Sequence, residues 1–499
     1  MKHLFTFLFA IAISSQAIGQ TNYVATSPLS ATPSAFNTIV GPGAGASITT
    51  GAFSSFLGYQ AGKNNSSGES NTFIGFTAGE ANTTGTANTF LGRSAGSLNI
   101  NGSYNVFLGL NAGANNRTGS NNTIVGIDAG YTNSSGSYNT FLGDFAGFSN
   151  TSGGGNVFIG SAAGKYNVEG IGNVFTGYQS GIYNTKGSYN TFNGYSSGLY
   201  NTTGSSNVFV GYSTGNDNKI GERNVFTGSN SGIRNTTGSN NVFSGYLSGA
   251  GNITGSNNVF LGDSSGFFNN GGNNNIYIGS NAAYNLNSGS NNIIVGPNSG
   301  TAITTSDDNV LMGYNSQAED GLQNAIAIGS NSRVAVSNAM ILGNGVNVGI
   351  GTSAPTSRLH IRADQADQSG IRLEQLTSDS PVSGASDQFL TVDDQGNVVK
   401  ARYQLRVQDP SQWSDKVFRP DYSLQSLPAV EAYIQQNGHL PDVPSADEVA
   451  AKGVDLVKMN ALLLQKIEEL TMYSIQQQKE IEALKHLIRR VTKKHKQRQ

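Results

Sequence analysis

The chain has 499 residues, of which 65 are glycine, none is cysteine and only 12% are charged, for a formal net charge of −2. An ordinary globular domain carries about twice that density of charge, so a single conventional core is excluded. Without cysteine there are no disulfides and no thiolate metal sites, and order has to come from packing and hydrogen bonds.

Residues 1–19 combine Lys2, an apolar run from Leu4 to Ile13 and the small-residue pattern Ala17-Ile18-Gly19, which predicts a cleaved export signal. The apolar run is too short for a permanent membrane helix, and no later stretch approaches the roughly 20 apolar residues that a span requires. A lipid-anchored N-terminus is excluded because the cysteine it needs is missing. Residues 20–36 read as a linker.

From Gly41 to Gly313 a glycine falls on every seventeenth position, through Gly58, Gly75, Gly92 and Gly109, without interruption. The frame around it is Asn, Thr or Val, Phe, an aliphatic residue, Gly, as in Asn71, Phe73 and Gly75, Asn88, Phe90 and Gly92, and Asn105, Phe107 and Gly109. A fixed period of this size makes each repeat one unit stacked on its neighbours, so residues 37–351 are predicted to form a parallel β-roll or solenoid. Strand alternation puts the residues flanking Phe on one face and Phe on the other. So short a coil encloses one narrow core. The flanking residues are assigned to that core, and the Phe face is expected to be buried against other copies of the chain. Asn stands at the fourth position before the repeat glycine in all the repeats but one, Ser54 being the exception, and predicts a stacked side-chain amide ladder. At about 4.8 Å per rung the array makes a rod on the order of 80 Å long.

Between Gly160 and Gly249 the residue before the glycine turns polar (Thr176, Asn193, Thr227, Ser244) and the one after it becomes Tyr178, Tyr195, Tyr212 or Tyr246. Tyr166, Tyr183 and Tyr200 form a second file. Stacked exposed tyrosines are candidates for binding glycan rings or another apolar cell-surface ligand, but a purely structural aromatic ladder is the favoured reading.

After Gly313 the frame loosens into Asn324-Ala325-Ile326-Ala327-Ile328-Gly329 and Asn338-Ala339-Met340-Ile341-Leu342-Gly343. These units resemble the repeats of trimeric autotransporter adhesin (YadA-like) heads. The resemblance covers roughly residues 37–351 and implies a homotrimer of β-rolls fused side by side. That family uses Ala and a shorter period, whereas this array uses Phe and a longer one, which implies a wider trimer core.

Residues 352–405 are predicted to be a β-rich stalk. Gly349 to Ile361 resembles a junction in tail-fibre-like proteins, and Phe389 to Val399 reads as a hairpin turning at Asp394 to Asn397. Residues 406–455 read as a small α+β collar with a short helix near Ala429 to Gln436. In residues 456–499, Leu463, Leu470 and Leu484 at d positions and Ile467, Ile481 and Ile488 at a positions predict a coiled coil ending in a basic tail. Ile at a with Leu at d favours two strands on its own, whereas the rod resembles trimers. The segment from Gly438 to Leu470 also resembles C-terminal modules of secreted repeat proteins, related in placement to endosialidase-type intramolecular chaperones.

The stretch from Leu4 to Leu359 holds no histidine and no cysteine, so no catalytic residue, metal or cofactor is expected in the rod. Ser414-Asp415-Lys416 matches the self-cleavage motif of tailspike chaperones only loosely. His439 has no second histidine beside it and is assigned to a turn. The basic tail follows the heptads, the reverse of a zipper transcription factor, so no nucleic-acid partner is expected. The composite expectation is a non-enzymatic, exported trimeric surface fibre of a Gram-negative bacterium, acting in adhesion or scaffolding. The alternatives are a tail-fibre-like component of an injection apparatus and a self-cleaving chaperone protein.

Overall fold

The computed structural model describes residues 36–365, 370–374, 380, 388–402 and 413–496, and the chain divides into two compact units, 1–371 and 372–499. The predicted export signal, nearly all of the linker, parts of the stalk and of the collar, and the end of the basic tail lie outside the described residues.

The first unit is a parallel β-solenoid. Strands β1 (Thr38–Val40) to β17 (Val310–Met312) are each three residues long and recur once per coil. Each pairs in parallel with the next, so that Phe73 stands opposite Phe90 and Phe90 opposite Phe107. The sheet continues through β19 (Ala325–Ile328) and β21 (Ala339–Leu342), which makes it 19-stranded. At about 4.8 Å per rung this wall is on the order of 90 Å long. Where the repeat shortens, β18 (Gln317–Ala318) and β20 (Arg333–Val334) pair as a separate small sheet, and β22 (Val348–Ile350) pairs with β23 (Leu359–Ile361).

The orientation of each strand reverses the expectation. Phe73, Phe90 and Phe107 are 0% exposed within a single chain, while the flanking Thr89 and Leu91 face solvent. The Phe file is therefore the core of the coil, not a face left over for other copies. The reason lies on the opposite wall, at the second glycine of each repeat. A Cβ at Gly79 would come within 2.7 Å of the Phe73 ring, and one at Gly96 within 2.5 Å of the Phe90 ring. Glycine there makes room for one aromatic ring per rung. The rings stack with centroids 4.8 Å apart from Phe73 to Phe90 and 4.7 Å apart from Phe90 to Phe107. Each buried ring contributes roughly 2–3 kcal/mol of hydrophobic stabilisation, and ring pairing adds about 1 kcal/mol. The repeat glycine itself has another role: at Gly75 φ is +140°, and a Cβ would meet the carbonyl oxygen of Gly92 at 2.3 Å.

Two asparagine ladders close the corners. In the predicted one, the Asn71 Oδ1 accepts from the Asn88 backbone N–H at 3.0 Å, and the Asn88 Nδ2 donates to the Gly102 carbonyl at 2.9 Å. The other runs through the seventh position after the repeat glycine. Asn82 donates to Asn65 at 2.6 Å, Asn99 to Asn82 at 2.7 Å, and so on to Asn269, which donates to Asn252 at 2.7 Å. Every amide in this second file points the same way along the rod. Leu286 follows Asn269, so the Asn269 Oδ1 is left without a partner.

In the second unit, β24 (Gln388–Val392) and β25 (Val398–Arg402) form the predicted antiparallel hairpin. The Asp393 Oδ1 accepts from the N–H groups of Gln395 and Asn397 at 3.0 and 2.9 Å, an Asx-type turn. A 3₁₀ turn, Ser414–Phe418, precedes α1 (Leu427–Asn437), α2 (Ala446–Lys452) and α3 (Leu456–Lys496). Gly438 ends α1 in the left-handed conformation, and Ser445 with Glu448 forms a capping box at the start of α2. The expected α+β collar is helical among its described residues. No described helix is long and apolar enough to cross a membrane.

Candidate functional site

Because Phe turns inward, the rod presents two columns of flanking residues on the outer face of its sheet. They are mostly Thr or Val before the Phe and Leu, Ile or Val after it. Leu57, Leu91, Val106, Ile159, Val208, Val210 and Ile276 lie between 37% and 49% exposed. This is a flat, narrow and largely aliphatic strip, suited to another apolar face.

The strip changes character at Thr176, Asn193, Thr227 and Ser244 and reverts at Leu261. The structure brings three of the four candidate tyrosines together in these rungs. Tyr178, Tyr195 and Tyr212 stack with centroids 5.3 Å apart and planes within 22° and 14°. Tyr246 stands apart, since Ser229 occupies the rung between it and Tyr212. The second file, Tyr166, Tyr183 and Tyr200, stacks at 5.3 and 5.2 Å. Stacking covers both faces of Tyr195 and leaves edges and hydroxyls outward, so the middle of a ladder cannot receive a sugar ring face-on. Only its ends can.

In the second unit, α3 uses two faces. Ala461, Gln465 and Glu468 are buried toward the collar. The predicted heptad residues are open, although Leu470 also borders the collar: Leu463 is 47% exposed, Ile467 60%, Leu470 63%, Ile481 45%, Leu484 55% and Ile488 59%. An apolar stripe of this spacing is what a coiled-coil seam requires of each strand.

The collar packs on α3 around a polar knot. Tyr422 donates to the Glu469 carboxylate, which also accepts from Gln465 and Lys466 at 2.9 Å each, and Lys466 reaches Asp442 at 3.3 Å. Burial works against the Glu469 charge, but hydrogen bonds from Tyr422, Gln465 and Lys466 hold its carboxyl below the usual range. Burial and that carboxylate together push the Tyr422 phenol up to about 12. Beside the knot lies a cavity of about 430 Å³ lined by Leu427, Val430, Leu440, Leu470 and Tyr473.

Ser414, the first residue of the loosely matched self-cleavage motif, is buried and donates to the Glu468 Oε1 at 3.1 Å. The contact anchors the 3₁₀ turn to α3. Asp415 beside it faces solvent. His439 stands edge-on to Tyr433 with centroids 5.7 Å apart, next to the Gly438 cap, in the turn position expected of it. Among the described residues no group of three His, Cys, Asp or Glu side chains is placed to hold a metal.

The second asparagine file was not singled out by sequence reasoning. Its signal is strict: Asn at the seventh position after every repeat glycine from Asn65 to Asn269. Embedded in Asn-Thr-Thr-Gly and Asn-Ser-Ser-Gly, it has the composition of an ordinary turn.

Compared with known proteins, the chain matches no family profile and no characterised protein.

Proposed function

We propose that the chain is an exported fibrous surface protein that assembles as a homotrimer and acts in adhesion or scaffolding on a Gram-negative cell. The observation that carries the reading is the two-faced α3. One face is spent on its own collar, and a second, heptad-spaced apolar face is left open along the helix. The aliphatic columns of the rod support the same conclusion through a different surface. Mated with copies of themselves, they would bury side chains now between 37% and 49% exposed, at roughly 25 cal/mol per Å² of apolar surface removed from water. Three copies, rather than the two that α3 alone would favour, follow the resemblance of the rod to trimeric adhesin heads.

Light scattering of the chain from Gln20, and of a truncation ending at Gly351, tests the reading. Three chains in the full-length sample are expected, with Leu463→Asp plus Ile467→Asp lowering the assembly or loosening it to the rod's own contacts. A monomer in the full-length sample overturns it.

A further inference from the structure

The tyrosine column next to the polar part of the strip is interrupted once. Tyr212 and Tyr246 are two rungs apart, about 9.6 Å at the usual strand spacing, with only Ser229 between them. They are the most exposed of the four, at 54% and 53% against 47% for Tyr178 and 49% for Tyr195. A ring held at van der Waals contact between two aromatic faces needs about 3.5–4 Å on each side. The gap therefore accepts one ring and not two.

The polar groups around the gap are unengaged. Among the described residues the hydroxyls of Ser229, Thr227 and Ser244 have no hydrogen-bond partner, whereas Ser66, Thr83 and Thr151 elsewhere on the rod bond to the next rung. Thr227 and Ser244 each stand two positions before the column, across the bend glycine, so their Cα atoms lie within about 7 Å of those of Ser229 and Tyr246.

We infer that the notch between Tyr212 and Tyr246 is a glycan-binding subsite that takes one pyranose ring. A pyranose presents slightly positive C–H groups on its faces, which match the negative faces of two tyrosine rings, and hydroxyls on its rim, which match Ser229, Thr227 and Ser244. A planar aromatic ligand would fill the same width but would leave those hydroxyls unused. The inference rests on the adhesion reading and names the ligand class for it. It also moves the sugar-binding role from the Tyr178, Tyr195 and Tyr212 ladder to the end of that ladder.

The test is calorimetric titration of the full chain with laminarin, yeast mannan, dextran and chitohexaose, with molar mass recorded on the same samples. Assembly and sugar recognition are then read separately. At least one probe should bind saturably. Ser229→Tyr, which fills the notch and continues the stack, should weaken that binding by about tenfold or more without lowering the thermal midpoint, as should Tyr246→Ala. Tyr59→Ala, in the same column but stacked on Phe76 far from the notch, should leave it unchanged. Binding of none of the four probes, or binding that survives Ser229→Tyr, overturns the inference.

Discussion

Within one rung, the side chains that decide the structure are those with no freedom to differ from their neighbours above and below. Tyr277 makes the point by exception. It takes the Phe position in its rung, stacks on Phe260 at 4.5 Å and is 0% exposed, yet its hydroxyl finds no partner in hydrogen-bonding geometry. Burial pushes its phenol well above the ordinary value, with the Asn292 amide pulling it partly back. An orphaned buried hydroxyl costs about 1–3 kcal/mol, so Tyr277→Phe, which restores the residue used in most other rungs, is expected to stabilise the rod by about 1 kcal/mol. A thermal midpoint unchanged or lowered by that substitution would show that the hydroxyl is satisfied. The inward turn of Phe was the one feature of the rung that the sequence pattern pointed the wrong way. Alternation states which residues share a face, not which face is inside. The deciding residue, Gly79 opposite Phe73, matters through the Cβ it lacks.

At the scale of elements, strands, hairpin and long helix were legible because each rests on a strict period or a strong turn signal. Asn71 and Asn88 were legible as a ladder, and the heptads from Leu463 to Ile488 as an exposed stripe. The collar was harder to read, since its hold on α3 comes from contacts between distant parts of the chain, such as Ser414 with Glu468 and Tyr422 with Glu469. The candidate tyrosines were legible as a file, but not the covering of their faces, which depends on ring tilt. The loosened end of the solenoid has its own fastener. Asp320 accepts from the N–H groups of Thr304 and Thr305 at 2.7 and 3.1 Å, and from the Thr304 hydroxyl. Partial burial opposes its charge, but these bonds and the Gly321 N–H hold the carboxyl at about 2, below its ordinary 3.8. A depressed carboxyl contributes stability that is complete above the unfolded value and is lost as pH falls through the folded one. Acidification from about pH 4 to 2 should therefore lower the thermal midpoint of the native chain. In Asp320→Asn that part of the slope should shrink; an identical slope in both proteins would remove Asp320 from the account.

For the rod taken whole, each coil touches only the coils before and after it, so stability accumulates as a sum of near-identical steps. Removing residues 174–190, one full repeat, would place Phe158 against Phe192 and Asn167 against Asn201, pairs of the same chemistry as those they replace. That deletion should leave circular dichroism and thermal midpoint close to native. Removing 174–189, one position short of a full repeat, should instead lower the thermal midpoint, because the coil at the junction then carries one residue too many and must bulge it out or break the Phe and Asn files at that rung. Equal behaviour of the two deletions would contradict the stacking account. The unbroken phase from Gly41 to Gly313 thus makes length a separable property: the rod can gain or lose whole rungs of about 4.8 Å while the Phe and Asn files that hold it together keep their chemistry.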